Sequence, residues 1–184
     1  MDKQSLTRLF HYHYWANRRL WRAVIALSEG QFTRPLSDGR PSIRDQVVQM
    51  VANENLWVNY LWHGEVEFLQ VSQLPTRAAI RAEWDALQEE MLDFLDELSP
   101  AELESRVSPP FLDAGVSLTV CESLLQIIHQ AAESRAQLRL HLGRLGRRQI
   151  RRFMAVDLDF NVLYRHRRII NPAAFSMEAA RCPN

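Results

Sequence analysis

At Ser42, Ser99 and Thr119 a hydroxyl residue is followed three positions later by Asp45, Glu102 and Glu122. In such a pairing each side chain satisfies the other residue's free backbone N–H, which marks the start of a helix. The apolar residues between these starts recur at helical spacing, with no strand alternation, so the chain is constrained to an all-α fold. A first helix is predicted from about Lys3 to Leu27, on Leu6, Leu9, Phe10, Leu20, Val24 and Leu27, with Ser28, Glu29 and Gly30 ending it. A loop containing Pro35, Gly39 and Pro41 leads to Ser42, where the second helix begins. It carries Ile43, Val47, Met50, Trp57, Val58 and Leu61 on one side and closes at His63 and Gly64.

Thr76, after Pro75, caps a third helix whose stripe is Ile80, Trp84, Leu87, Met91, Phe94, Leu95 and Leu98 and whose other face is acidic. Ser99 to Glu102 reads as a capped extra turn with proline at its first position. Pro109, Pro110, Asp113 and Gly115 make Val107 to Leu118 a loop or short hairpin. Thr119 then opens a fourth helix through about Leu145. The expected architecture is a four-helix bundle over residues 1–168, including a short fifth helix from Asp157 to Arg168, with a loosely ordered tail over 169–184. Leu27-Ser28 before the Ser42 cap parallels Leu98-Ser99 before the Thr119 cap, a faint sign of two related helix pairs.

With 184 residues, 47% hydrophobic and 24% charged, one core is expected, large enough to need neither disulfides nor a structural metal. Cys121 and Cys182 lack any paired spacing, which suits a reducing compartment. The opening residues show no signal core and no run approaches a membrane span, so a cytoplasmic location is expected. Lysines plus arginines equal acids at 22 each, so overall charge calls for no nucleic-acid partner. Arginines do gather at Arg144, Arg147, Arg148, Arg151 and Arg152, and again at Arg165, Arg167 and Arg168. A helix C-terminus favours such residues, so a subunit contact or solvated surface is expected there before a phosphate strip.

Short motifs recur in a familiar order. Tyr14-Trp15-Ala16-Asn17 resembles the Y-x-x-W-A-N opening of the DinB/YfiT-like family. Ser42-Ile43-Arg44-Asp45 resembles that family's start of helix two, Glu54-x-x-Trp57 its E-x-x-W, and Ser134-Arg135-Ala136-Gln137 with Leu145-Gly146 its H-R-G-Q and L-G segments. The likeness spans about residues 5 to 165. It implies a helical bundle and small-molecule chemistry, notably metal-dependent transfer to low-molecular-weight thiols.

The resemblance also implies a zinc or nickel site made by one histidine of helix two and an H-x-x-x-H pair of helix four. The matching positions are Gln49, Gln130 and Ser134. Amides and a hydroxyl are poor ligands for these ions, so no metal cofactor is expected. His129 and Glu133 share the i, i+4 spacing but point away from the side defined by Leu124, Ile127, Ala131, Leu138 and Leu142. On the inward faces His13, Asn17 and Glu54 interrupt apolar stripes, and a buried Glu54 should meet Arg135, His13 or an amide. Two readings stand: a structural polar knot, or a pocket where His13 and Glu54 exchange protons while Gln49, Gln130, Ser134, Asn17 and Arg135 hold a small ligand. His11, His63, His141 and His166 show no constellation, and the five tryptophans are expected to pack in the core or an interface. The overall expectation is a homodimeric, metal-free DinB-like accessory factor, with a thiol-transferase-type enzyme as the alternative and nucleic-acid binding third.

Overall fold

Asp2 accepts the Ser5 backbone N–H at 2.7 Å and starts α1, Lys3–Ile25. The helix stops two residues before the expected Leu27. Ser28 then does more than end it: with Gln31 it forms a reciprocal capping box and opens a short α2, Glu29–Thr33. Glutamine at the third position serves as well as an acid. This turn buries Phe32, and the Arg77 guanidinium lies 4.2 Å over that ring while pairing with Glu29 at 2.6 Å.

Ser42 and Asp45 cap α3, Ile43–Val58, as expected. Its continuation, Asn59–His63, is a π-helical turn ended by Gly64 at φ 71°. There the Glu65 N–H reaches back to the Asn59 carbonyl at 3.2 Å, a closure that a residue with Cβ adopts only under strain. A 3-10 turn at Val71–Gln73 precedes α4, Arg77–Glu97, capped by Thr76. Ser99 opens α5, Pro100–Glu104. The proline-rich stretch that follows is a hairpin, with β1, Arg106–Val107, antiparallel to β2, Leu118–Thr119. Thr119 with Glu122 launches α6, Val120–Arg144.

The long helices α1, α3, α4 and α6 form a ring in which α1 packs on α4 and α6, and α3 packs on the same two. Thus α1 faces α3 across the middle. Leu6, Phe10, Val24, Val47, Val51, Ile80, Met91, Leu124, Leu138 and Leu142 fill the core and are buried. All of this is seen in a computed structural model that describes residues 1–36 and 39–145. The expected fifth helix, the tail, His166, Cys182 and the arginines from Arg147 onward lie outside those residues. Among the described residues no helix is long and apolar enough to cross a membrane.

Candidate functional site

His13 and Asn17 are four positions apart on α1, so both side chains leave the same face of the helix. That face meets Glu54 of α3, Trp84 of α4 and Arg135 of α6. Glu54 Oε2 stands 3.4 Å from His13 Nε2 and accepts the Trp84 indole N–H at 3.2 Å. Arg135 Nη1 lies 3.0 Å from His13 Nδ1 and donates to Asn17 Oδ1 at 2.9 Å. His13 is fully buried, and Glu54 and Arg135 nearly so. The structure brings these polar residues together: Arg135 reaches His13 and Asn17, while Glu54 takes its second donor from Trp84. In the sequence pattern Trp84 belongs to the apolar stripe of the third long helix. A buried indole N–H needs an acceptor, and that was the signal available in the sequence.

Arg135 can only donate, so His13 must accept at Nδ1 and carry its proton on Nε2, from which it donates to Glu54. The 3.1 Å approach of Asn17 Nδ2 to the same Nε2 is then a contact between two donors and no hydrogen bond. Carboxylate, imidazole and guanidinium therefore form a line of alternating acceptors and donors. Burial alone would raise the Glu54 pKa, yet the His13 ring, whose N–H points at the carboxylate, together with the Tyr14 hydroxyl and the Trp84 N–H, outweighs it and leaves Glu54 below its usual value.

Two buried polar atoms of this cluster make no hydrogen bond: Glu54 Oε1 and the Tyr14 hydroxyl. They are close enough to interact. Burial first, then the Glu54 charge, push the Tyr14 phenol well above its ordinary pKa. The phenol is thus held as a neutral donor beside an acceptor.

Outward from Glu54 lies a recess between α3 and α6, lined by Met50, Asn53, Ile127, Gln130, Ala131 and Ser134. Its volume of about 10 Å³ leaves room for about one water molecule. Gln130 and Ser134 line it, half-buried. Gln49 does not: it is exposed and donates to Asn53 Oδ1 at 2.8 Å, so the inward position is one turn further along the helix. Two amides and a hydroxyl, one of the amides turned outward, do not fit the three-nitrogen coordination of zinc or nickel. Among the described residues no group of three or more His, Cys, Asp or Glu side chains is placed to hold a metal ion. His129 and Glu133 are both exposed, 3.9 Å apart at the surface.

His141, expected to stand alone, does not. It is buried, with Nδ1 2.8 Å from Gln46 Oε1 and Nε2 3.3 Å from Arg40 Nη1. Periodicity could not reveal these partners, because Arg40 lies in a loop before α3.

A ring of four long helices with a polar cluster drawn from every one of them defines a helical-bundle protein whose chemistry-bearing side chains sit between the helices. Residues 1–151 match the model of the DinB family, and the chain belongs to that family. Comparison with curated proteins gives no match.

Proposed function

We propose that this chain is a DinB-family protein working without the family's divalent metal, as a homodimeric small-molecule-binding or stress-associated accessory factor. The observation that supports this reading is the donor set at the three expected metal positions. Gln49 faces solvent, while Gln130 and Ser134 border a recess too small for a substrate. Behind it the carboxylate is already engaged by His13 and Trp84. Metal analysis of the purified full chain tests the proposal. Far less than one zinc or nickel per chain, and thermal stability indifferent to chelators, is the expected result. A stoichiometric ion held by side chains overturns it.

One observation favours the alternative of a transferase or hydrolase acting through His13 and Glu54. Glu54 Oε1 and the Tyr14 hydroxyl are buried side by side without partners, an arrangement that could hold and pass a proton. That reading requires Glu54→Gln to abolish turnover of a thiol or ester substrate while leaving the folded state intact.

A further inference from the structure

On its inward side α6 carries Leu124, Ile127, Leu138 and Leu142, all buried. Its opposite side carries a second series: Leu125, His129, the adjoining Ala132 and Glu133, Ala136 and Leu140. The steps of three and four positions between them keep these residues on one stripe of the helix. All six are exposed. Of the described leucines, Leu125 and Leu140 alone are exposed, at 36% and 68%. A single exposed leucine needs no explanation. Two on one stripe, about four turns apart with alanines between them, make an apolar face that the bundle itself does not use.

The stripe is symmetric about a point between Ala132 and Glu133. Turning the helix end for end about that point exchanges Leu125 with Leu140, His129 with Ala136, and Ala132 with Glu133. A two-fold axis perpendicular to a helix requires this pattern, because an isologous contact sets residue i against j and j against i. On a second α6 laid antiparallel, each Leu125 meets the Leu140 of the other copy. The alanines keep the middle of the stripe thin, so the two helices can approach closely. His129 of one copy comes within a turn of Glu133 of the other, which sets an imidazole, the kind of donor already 3.9 Å from Glu133 in its own chain, beside a carboxylate. The two helix dipoles then oppose. A parallel pairing would align them and stack Glu133 on Glu133.

We infer that the outer face of α6 is where a second copy of this chain docks, antiparallel, about a two-fold axis passing between Ala132 and Glu133. This inference deepens the homodimeric part of the proposed function and rests on it. The other exposed apolar group, Val66, Phe68 and Val71, suits a second copy less. Glu65 and Glu67 are interleaved with it, and a two-fold axis there would bring like charges together.

Sedimentation velocity of the full chain at micromolar concentration tests the inference. The wild type should sediment as a dimer of 21.5 kDa chains, and Leu140→Glu should weaken association by at least about tenfold with its helical circular dichroism unchanged. Phe68→Glu, which places the same charge on the other exposed apolar group, should leave the dimer intact. Geometry is read separately by mild oxidation, with Cys182→Ser removing the terminal thiol and Cys121 buried. Leu125→Cys mixed with Leu140→Cys should form a disulfide-linked dimer, and each alone should form far less. A dimer that survives Leu140→Glu, or that Phe68→Glu dissociates, overturns this surface while the homodimeric reading stands. Cross-linking of Leu125→Cys to itself as strongly as to Leu140→Cys overturns the antiparallel arrangement. A monomeric wild type overturns both the surface and the homodimeric reading.

Discussion

Arg135 Nη1 lies 3.0 Å from His13 Nδ1, and because a guanidinium never accepts, this contact alone selects the tautomer in which His13 donates to Glu54. Charge on α6 is thus coupled to charge on α3 through a side chain of α1.

Glu54→Gln keeps an oxygen able to accept from His13 and Trp84, and it places an amide beside the Tyr14 hydroxyl. It should cost no more than roughly 1 to 2 kcal/mol in chemical denaturation, whereas Glu54→Ala strands the donors and should cost more. Equal costs would contradict the hydrogen-bond pattern.

Acid should reveal the same carboxylate. The folded-state pKa of Glu54 lies below the ordinary value, so its ionised form contributes stability above about pH 4.3 that is lost as pH falls through the folded pKa. Stability measured from pH 6 downward should fall less steeply in Glu54→Gln than in the wild type, with other carboxylates setting the remaining slope. Parallel curves would show that Glu54 is not ionised in the folded protein.

Tyr14→Phe removes a buried hydroxyl that approaches Glu54 without forming a well-aligned hydrogen bond. The thermal midpoint should therefore hold or rise, with a loss below about 1 kcal/mol. A larger loss means that the hydroxyl is bonded in solution.

Histidines at the recess should create a metal site, and the helix-three position matters. Asn53→His with Gln130→His and Ser134→His should bind zinc more tightly than the set with Gln49→His, because Asn53 lines the recess and Gln49 is exposed. Competition titration against a chromogenic chelator ranks the two. The reverse order would place Gln49 on the inner side of α3.

Much of this fold was legible because it rests on local chemistry. Ser42, Thr76, Ser99 and Thr119 each begin the helix expected of them. Thr119→Ala should accordingly cost about 1 kcal/mol in denaturant unfolding. The α2 turn escaped notice because its cap partner is Gln31, and because Ser28 also reads as a stop. Site geometry was harder. Periodicity places His13, Asn17 and Glu54 inside, yet which donor meets which acceptor depends on how helices distant in sequence are set against one another. Trp84 reads as an ordinary core residue, and Tyr14 only as part of a motif. Gln49 was assigned from a motif position, and a position in a motif does not say which way a side chain turns. His141 depends on Gln46, about ninety-five positions earlier, a separation beyond any reading of local pattern.

The polar cluster takes His13 and Asn17 from α1, Glu54 from α3, Trp84 from α4 and Arg135 from α6, so no two helices can satisfy it alone. Sliding one helix by a turn would keep most apolar contacts but leave a carboxylate or guanidinium stranded in the core, at a cost of several kcal/mol. The cluster therefore acts as an axial lock: greasy surfaces hold the helices together, and these five side chains decide at what height. Its consequence for dynamics is that the amides around Leu20, Val51, Leu87 and Leu138 should exchange with deuterium as one cooperative unit, not helix by helix.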